Sequence, residues 1–259
     1  MGLSGSRFMS ELRVALVTGS GKKRVGFEVA RLLGQAGYKL ILHYRSSREE
    51  ALESIALLQR EGLSAHALAA DLSRETEVQA LVQEVMRLHG RIDALVTCAS
   101  QWGRQKLEQI DASSFQQQFE ANTLTTALIS LVVGRQMVKQ ESGGGIVTLG
   151  DWALQRPYLD YLAYHTSKGA VAAFTKALAC ELARQNPLVR VNMVEPGPVM
   201  LPPDLPEHER QEAIAATLVQ REGSPVHVAQ AVLALLSNPF ITGASLPVDG
   251  GRSIWAGGL

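Results

Sequence analysis

Short apolar runs rich in β-branched residues alternate with longer stretches of helical period along almost the whole chain. Residues 14–18, 39–44, 64–69, 92–98, 145–149, 189–194 and 245–248 read as strands. Residues 26–35, 49–61, 75–89, 115–139, 162–184, 207–219 and 225–236 read as helices, with a break near Asn122. Such alternation needs crossover connections and therefore parallel pairing. The expected fold is α/β: a doubly wound, seven-stranded parallel sheet flanked by helices. No linker or repeat interrupts the pattern, so residues 13–259 are expected to form one domain behind a flexible lead at 1–12.

Composition narrows the function classes. Lys plus Arg and Asp plus Glu each number 25, so the net charge is zero. A dedicated binder of nucleic acid or of anionic membrane needs excess positive charge, and neither partner is expected. No apolar run reaches the ~18–20 residues of a membrane span, and the first ten residues lack the apolar stretch of a signal peptide. Cys98 and Cys180 lie in apolar stretches and read as buried free thiols rather than a disulfide framework. The six histidines show no metal-ligand spacing. A cytoplasmic protein without a metal site is the expectation.

Three local patterns carry chemistry. Thr18-Gly19-Ser20-Gly21-Lys22-Lys23-Arg24-Val25-Gly26 joins the first strand to the first helix. Glycines there allow a tight turn and close approach of a phosphate to the helix N-terminus. The second strand ends in His43-Tyr44-Arg45-Ser46-Ser47, with no acid before Glu49. An acid at this point suits the ribose 2′-hydroxyl of NAD; Arg45, Ser46, Ser47 and Arg24 suit a 2′-phosphate instead, so NADPH/NADP is the expected cofactor. Ser47 also suits the N-cap of the following helix, and the two roles are compatible. Tyr164 and Lys168 lie four apart on one helix face. A nearby ammonium is expected to lower the Tyr164 pKa and ready it as a proton donor. His165, beside Tyr164 but on another face, reads as a core or surface residue.

With these residues in place, the chain resembles the short-chain dehydrogenase/reductase family from about Arg13 to Arg252. Asp71-Leu72 after the third strand, Asn122, Tyr164 with Lys168, Pro196-Gly197 and Asp249-Gly250-Gly251 match it. The resemblance implies a Rossmann-type fold and specific roles. Tyr164 protonates the reduced centre, Lys168 binds the nicotinamide ribose, and Asn122 holds a water-linked proton path. Asp71 touches the adenine, and the Pro-Gly loop packs near the carboxamide. Gly19, Val25, Tyr44, Leu72, Ala99, Ser100 and Val199 complete the implied cofactor contacts. The family usually assembles through its long helices, so a homotetramer is implied, with the Ala-rich stretch 170–183 as the contact.

Departures from the common pattern point to a branch. Asp151 stands thirteen residues before the Tyr, where relatives place Ser. An ionised Asp repels an oxyanion but favours a protonated nitrogen. Arg24 in the glycine turn, Ala99-Ser100 after the fourth strand and the aromatic Trp102 resemble the pteridine reductase branch, where an aromatic ring sandwiches the pterin against the nicotinamide. The glycine turn is one residue longer than usual, so Lys22 or Lys23 can substitute for expected contacts. Thr97 and Cys98 replace two asparagines and must hold that backbone otherwise, and Val199 replaces a Ser.

The expected function is thus NADPH-dependent reduction of a pterin-like or other flat C=N substrate, with Asp151, Tyr164, Lys168 and Asn122 catalytic and Trp102, Asp151 and Tyr164 touching substrate. A general carbonyl or 3-oxoacyl reductase is the alternative within enzymes, and a non-catalytic NADP-binding sensor the alternative outside them. The proline-rich segment 196–206 and the helix after it are expected to form a lid.

Overall fold

A computed structural model describes residues 12–255. The expected lead falls outside the described residues, save for Leu12. The first strand, β1 (Val14–Thr18), is buried at every position. Val14 and Leu16 enter one apolar layer, and Ala15 and Val17 enter the other. A strand covered on both faces must be apolar throughout, which is why these segments read as continuous hydrophobic runs.

The remaining strands are β2 (Lys39–Tyr44), β3 (Ala65–Ala69), β4 (Ala94–Thr97), β5 (Gly144–Leu149), β6 (Val189–Pro196) and β7 (Ser245–Val248). They form a seven-stranded sheet of order β3-β2-β1-β4-β5-β6-β7, and every pairing is parallel. The helices are α1 (Val25–Gln35), α2 (Arg48–Arg60), α3 (Glu75–His89), α4 (Ala112–Gln118), α5 (Thr125–Met137), α6 (Leu162–Gln185), α7 (Glu207–Ala215) and α8 (Pro225–Ser237). α1, α2 and α8 cover one face; α3, α5 and α6 cover the other. Strand order reverses between β1 and β4, and an open α/β sheet binds ligands in the crevice at that switch point.

Where boundaries differ from the sequence expectation, side chains explain it. β4 is shorter than 92–98. At its start the Gln140 amide accepts from Ile92 N–H at 2.9 Å and donates to Ile92 C=O at 2.9 Å, replacing strand partners. Beyond its end the Thr18 hydroxyl takes Ala99 N–H at 3.1 Å. The helix expected over 207–219 stops at Ala215, because Leu218 and Val219 N–H turn away to Gly250 C=O at 2.8 and 3.3 Å. The break expected near Asn122 is a π-helical stretch, Phe119–Leu124, between α4 and α5; such stretches frequently lie at functional sites.

The edge strand β7 is fastened from its neighbour. Asn192 on β6 donates to Ile241 C=O at 2.9 Å and accepts from Ala244 N–H at 3.0 Å. Arg190 donates to Leu235 and Leu236 C=O at the end of α8 at 2.7 and 2.6 Å, a favourable place for a cation. Asn192→Ala orphans Ala244 N–H, while Ile241 C=O keeps its bond from Arg190 at 3.1 Å; one unpaired buried donor costs about 1–3 kcal/mol. The variant's denaturation midpoint should fall with the m-value unchanged.

Candidate active site

The crevice opens at the ends of β1 and β4. Gly19 has φ 61°, and a Cβ there would lie 2.7 Å from Ala99 Cα. A Cβ on Gly26 would lie 2.9 Å from Gly19 C=O. Only glycine permits this left-handed turn and close approach. His43, buried at the end of β2, accepts from Gly19 N–H at 3.2 Å through Nδ1, while its Nε2 lies 3.0 Å from Ala70 C=O. Burial lowers its pKa, which keeps it neutral in this bridging role.

The longer turn spreads onto α2. Gly21 lies against Tyr44 and Ala51, and Ser54 Oγ donates to Gly21 C=O at 2.9 Å. Lys22 pairs with Glu50 at 3.0 Å. Arg24, exposed, is the N-cap residue of α1 but contributes no side-chain cap, so an anion can be met by the opening of the helix. Ser47 is likewise the N-cap of α2 without a capping bond. Arg45 and Ser46 are exposed beside it. Asp71, on the next loop, accepts from Ser73 Oγ and N–H at 2.8 and 3.0 Å, bonds that hold its carboxyl below the usual range. Leu72 beside it is buried. A positive-φ glycine cradle, uncapped helix openings and exposed arginines without an acid at the end of β2 fit a phosphorylated dinucleotide.

After β4 the backbone is not held by Thr97 or Cys98. The Thr97 hydroxyl is buried and has no partner among the described residues. Besides the Thr18 bond to Ala99, Asn122 does the holding. Its Oδ1 accepts from Ser100 Oγ at 2.9 Å and Gln101 N–H at 2.7 Å, and its Nδ2 donates to Gln101 C=O at 3.0 Å. Nδ2 also lies 2.9 Å from Gln118 Oε1 and 3.0 Å from Ser167 Oγ. Asn122 is 0% exposed, so the π-helical turn buries it as a clamp between this loop and α6. Cys98 is partly buried, and Cys180, against expectation, is exposed; it sits on the outer face of α6, a distinction that the apolar character of its surroundings does not reveal.

Asp151 follows β5. Its Oδ1 accepts from Ala153 N–H at 2.9 Å, and its Oδ2 accepts the Tyr164 hydroxyl at 2.6 Å. Tyr164 and Lys168 are 5% and 4% exposed. Lys168 Nζ donates to Leu149 C=O at 2.9 Å and lies 5.9 Å from the Tyr164 ring centroid. The expected acidification of Tyr164 by Lys168 is overturned. Burial first, then the Asp151 carboxylate and its hydrogen bond, push Tyr164 well above the ordinary phenol value. The nearer anion outweighs the ammonium, which is aimed at a carbonyl. Burial also pulls Lys168 down to about 8.

An aromatic wall stands over this pair. Trp102, 49% exposed, stacks on Tyr161 with centroids 4.8 Å apart and planes at 15°, and its Nε1 donates to Tyr158 Oη at 3.2 Å. Tyr158 stacks on Trp152 at 5.6 Å and meets His165 edge-on at 4.7 Å. Arg252 lies over Trp152 at 4.6 Å. Sequence reasoning found Trp102 but missed Tyr158, Tyr161 and Trp152; tyrosines at 158, 161 and 164, three apart, were the available signal. Also unforeseen is Glu195, a buried acid at the end of β6 whose pKa burial raises; Gln155 Nε2 lies 3.5 Å from it.

On the far side, Gly197 N–H donates to Val248 C=O at 3.0 Å, and a Cβ at Gly197 would lie 2.5 Å from Asp249 Cα. Pro196 ends β6, and Val199 is buried two residues past Gly197, against Gly223. The segment beyond it is pinned: Arg210 meets Glu222 at 2.7 Å, and Glu222 accepts from Leu201 N–H at 3.1 Å. Among the described residues no cluster of three or more His, Cys, Asp or Glu is arranged for a metal, and no helix is long and apolar enough to cross a membrane.

The chain matches a family model described as enoyl-(acyl carrier protein) reductase over residues 20–253. It is 32% identical over 266 residues to a short-chain dehydrogenase/reductase of Pestalotiopsis microspora, covering 94% of this chain and 96% of that one. It is 34% identical over 237 residues to carbonyl reductase family member 4 of Xenopus laevis, covering 90% and 95%. It is 32% identical over 235 residues to 3-oxoacyl-[acyl-carrier-protein] reductase of Bos taurus, again covering 90% and 95%. Among solved structures, a short-chain type dehydrogenase/reductase from Mycobacterium ulcerans superposes with a TM-score of 0.86 at 27% identity, covering 95% and 91%. Acetoin dehydrogenase from Enterobacter cloacae gives 0.85 at 26% identity, covering 95% and 98%.

Lys168 should titrate near pH 8 in the ligand-free protein, read by NMR of isotope-labelled lysine with Lys168→Arg as the assignment control. Between pH 8 and the ordinary lysine value of about 10.4, the unfolded chain then binds more protons, so stability should rise with pH across that window. That part of the slope should vanish in Lys168→Met.

Proposed function

Because this chain belongs to the short-chain dehydrogenase/reductase family, we propose that it is an NADPH-dependent reductase of a flat, pterin-like or other C=N-containing substrate. The observation that carries this reading is the 2.6 Å hydrogen bond from the Tyr164 hydroxyl to the Asp151 carboxylate, where relatives of the common pattern place an alcohol.

Gly19, Arg24, Val25, Tyr44, Arg45, Ser46 and Ser47 would hold the phosphates and the 2′-phosphorylated ribose. Asp71, Leu72, Ala99 and Ser100 would lie along the adenosine and the central crevice; Lys168, Pro196, Gly197 and Val199 would lie at the nicotinamide end. NADPH, when bound, supplies hydride. The rest falls to the chain. Tyr164 stays a phenol and carries a transferable proton. The phenol and carboxylate hold that proton between them, ready for a substrate nitrogen placed against either oxygen. The fixed negative charge of Asp151 stabilises the cationic nitrogen that results, whereas it opposes a developing oxyanion. Lys168 keeps a positive charge beside the pair below about pH 8. Asn122 fixes the floor of the crevice through Ser100 and Gln101. Trp102 offers a ring for a flat substrate to stack against, an arrangement worth about 0.5–1.5 kcal/mol beyond area burial.

The relatives named carbonyl reductase and 3-oxoacyl reductase favour a second reading, in which Tyr164 protonates a carbonyl oxygen. We further place the enzyme in the cytoplasm as a homotetramer, on family resemblance. Phe115, Phe119 and Leu162, with Ala173, Ala177 and Cys180 on α6, leave apolar surface for a second copy.

Tyr164→Phe should reduce NADPH oxidation with dihydrobiopterin by roughly 10²–10⁴-fold, the usual range for a positioned acid. Asp151→Ser should lose pterin turnover while retaining or gaining activity on ketones and oxoacyl thioesters. Undiminished dihydrobiopterin reduction by Asp151→Ser would remove Asp151 from the mechanism, and a wild type that reduces ketones or oxoacyl thioesters but not dihydrobiopterin would overturn the C=N reading in favour of the carbonyl one.

A further inference from the structure

Asp160 adopts φ 70°, one of two non-glycine residues among those described with positive φ. A non-glycine residue in the left-handed region is strained and persists where its surroundings hold it. What holds Asp160 is the loop that carries Trp102. Arg104 Nε donates to Asp160 Oδ2 at 3.0 Å, and its terminal nitrogen lies 2.9 Å from the same oxygen. The Asp160 carbonyl accepts from Gln105 N–H at 2.7 Å. Side chain and backbone of one strained residue thus grip the loop after β4 at two successive residues. Two residues before Arg104 is Trp102, and next to Asp160 is Tyr161, on which Trp102 stacks.

We propose that Asp160 and Arg104 form a clasp that positions Trp102, so that this pair, distant in sequence and outside the proton-transfer machinery, sets how tightly the site takes its flat substrate. The assignment rests on the reductase reading of the same site. An exposed ion pair adds little stability by itself, so the clasp contributes geometry: it fixes the orientation of a half-exposed indole that Tyr158 and Tyr161 alone meet at one edge and one face. Asp160 and Arg104 are positioning residues.

The decisive variant is Asp160→Gly, which relieves the left-handed strain while deleting the carboxylate. Alongside it stand Arg104→Gln, the double variant and the conservative Arg104→Lys. Steady-state assays use dihydrobiopterin or, if the wild type does not turn it over, the ketone or oxoacyl thioester it reduces best, so that failure of the pterin reading shows in the wild type alone. Asp160→Gly and Arg104→Gln should each raise the substrate KM about tenfold. The kcat and the NADPH KM should stay within twofold, the double variant should be no worse than either single one, and Arg104→Lys should recover most of the loss. Asp160→Gly should keep or raise the melting temperature. The Trp102 emission, taken as the difference from Trp102→Phe, should shift to the red in the two disrupting variants and not in Arg104→Lys. An unchanged substrate KM and emission in Asp160→Gly would overturn the clasp. So would a fall in kcat, cofactor affinity and melting temperature together, which marks a merely structural contact.

Discussion

The approach of Gly19 to Ala99 governs how this molecule is put together around its crevice. A parallel register sets Thr18 opposite Thr97, so the chains leaving β1 and β4 start side by side. They can part in opposite directions only because no side chain stands between them at position 19. That closeness lets the Thr18 hydroxyl take Ala99 N–H, lets His43 bridge from Gly19 to Ala70, and leaves α1 opening toward the crevice with no side-chain cap. The loop after β4, freed from the sheet here, is then caught by Asn122 and carries Trp102 toward the end of β5.

Around that frame the chemistry is a contest of distances. Tyr164 has an anion and a cation as neighbours. Coulomb energy falls with separation and rises as water is excluded, and the carboxylate is hydrogen-bonded while the ammonium is spent on Leu149 C=O. Burial first, and then the carboxylate, therefore leave the phenol its proton, and burial draws the lysine toward neutrality.

The two loops that wall the site are held from outside the reacting groups. Asp160 and Arg104 join them by charge, Trp102 and Tyr161 by stacking, and Gln155 ties the second loop toward the buried Glu195. Loops of this kind carry specificity because they vary without disturbing the sheet beneath.

The sheet was legible in the sequence because its inner strands, buried on both faces, have no choice but to be apolar, and the edge strands β3 and β7, half-buried, were placed by the alternation with helices. The glycine turn, the missing acid after β2, Asp151 and the Tyr164–Lys168 pair were legible because their spacing along one strand end or one helix face is a local matter. Other features were decided only by tertiary structure. The Gln140 amide sets the start of β4 from 48 residues away, Asn122 rather than Thr97 holds the turn after it, Cys180 faces outward from an apolar helix, and burial together with Asp151 reverses the expected effect on Tyr164. Periodicity reports which face of an element is apolar. It is silent about which distant side chain arrives at a given atom, because hydrogen bonds and charges act over a few ångströms and those separations exist only once the chain has folded.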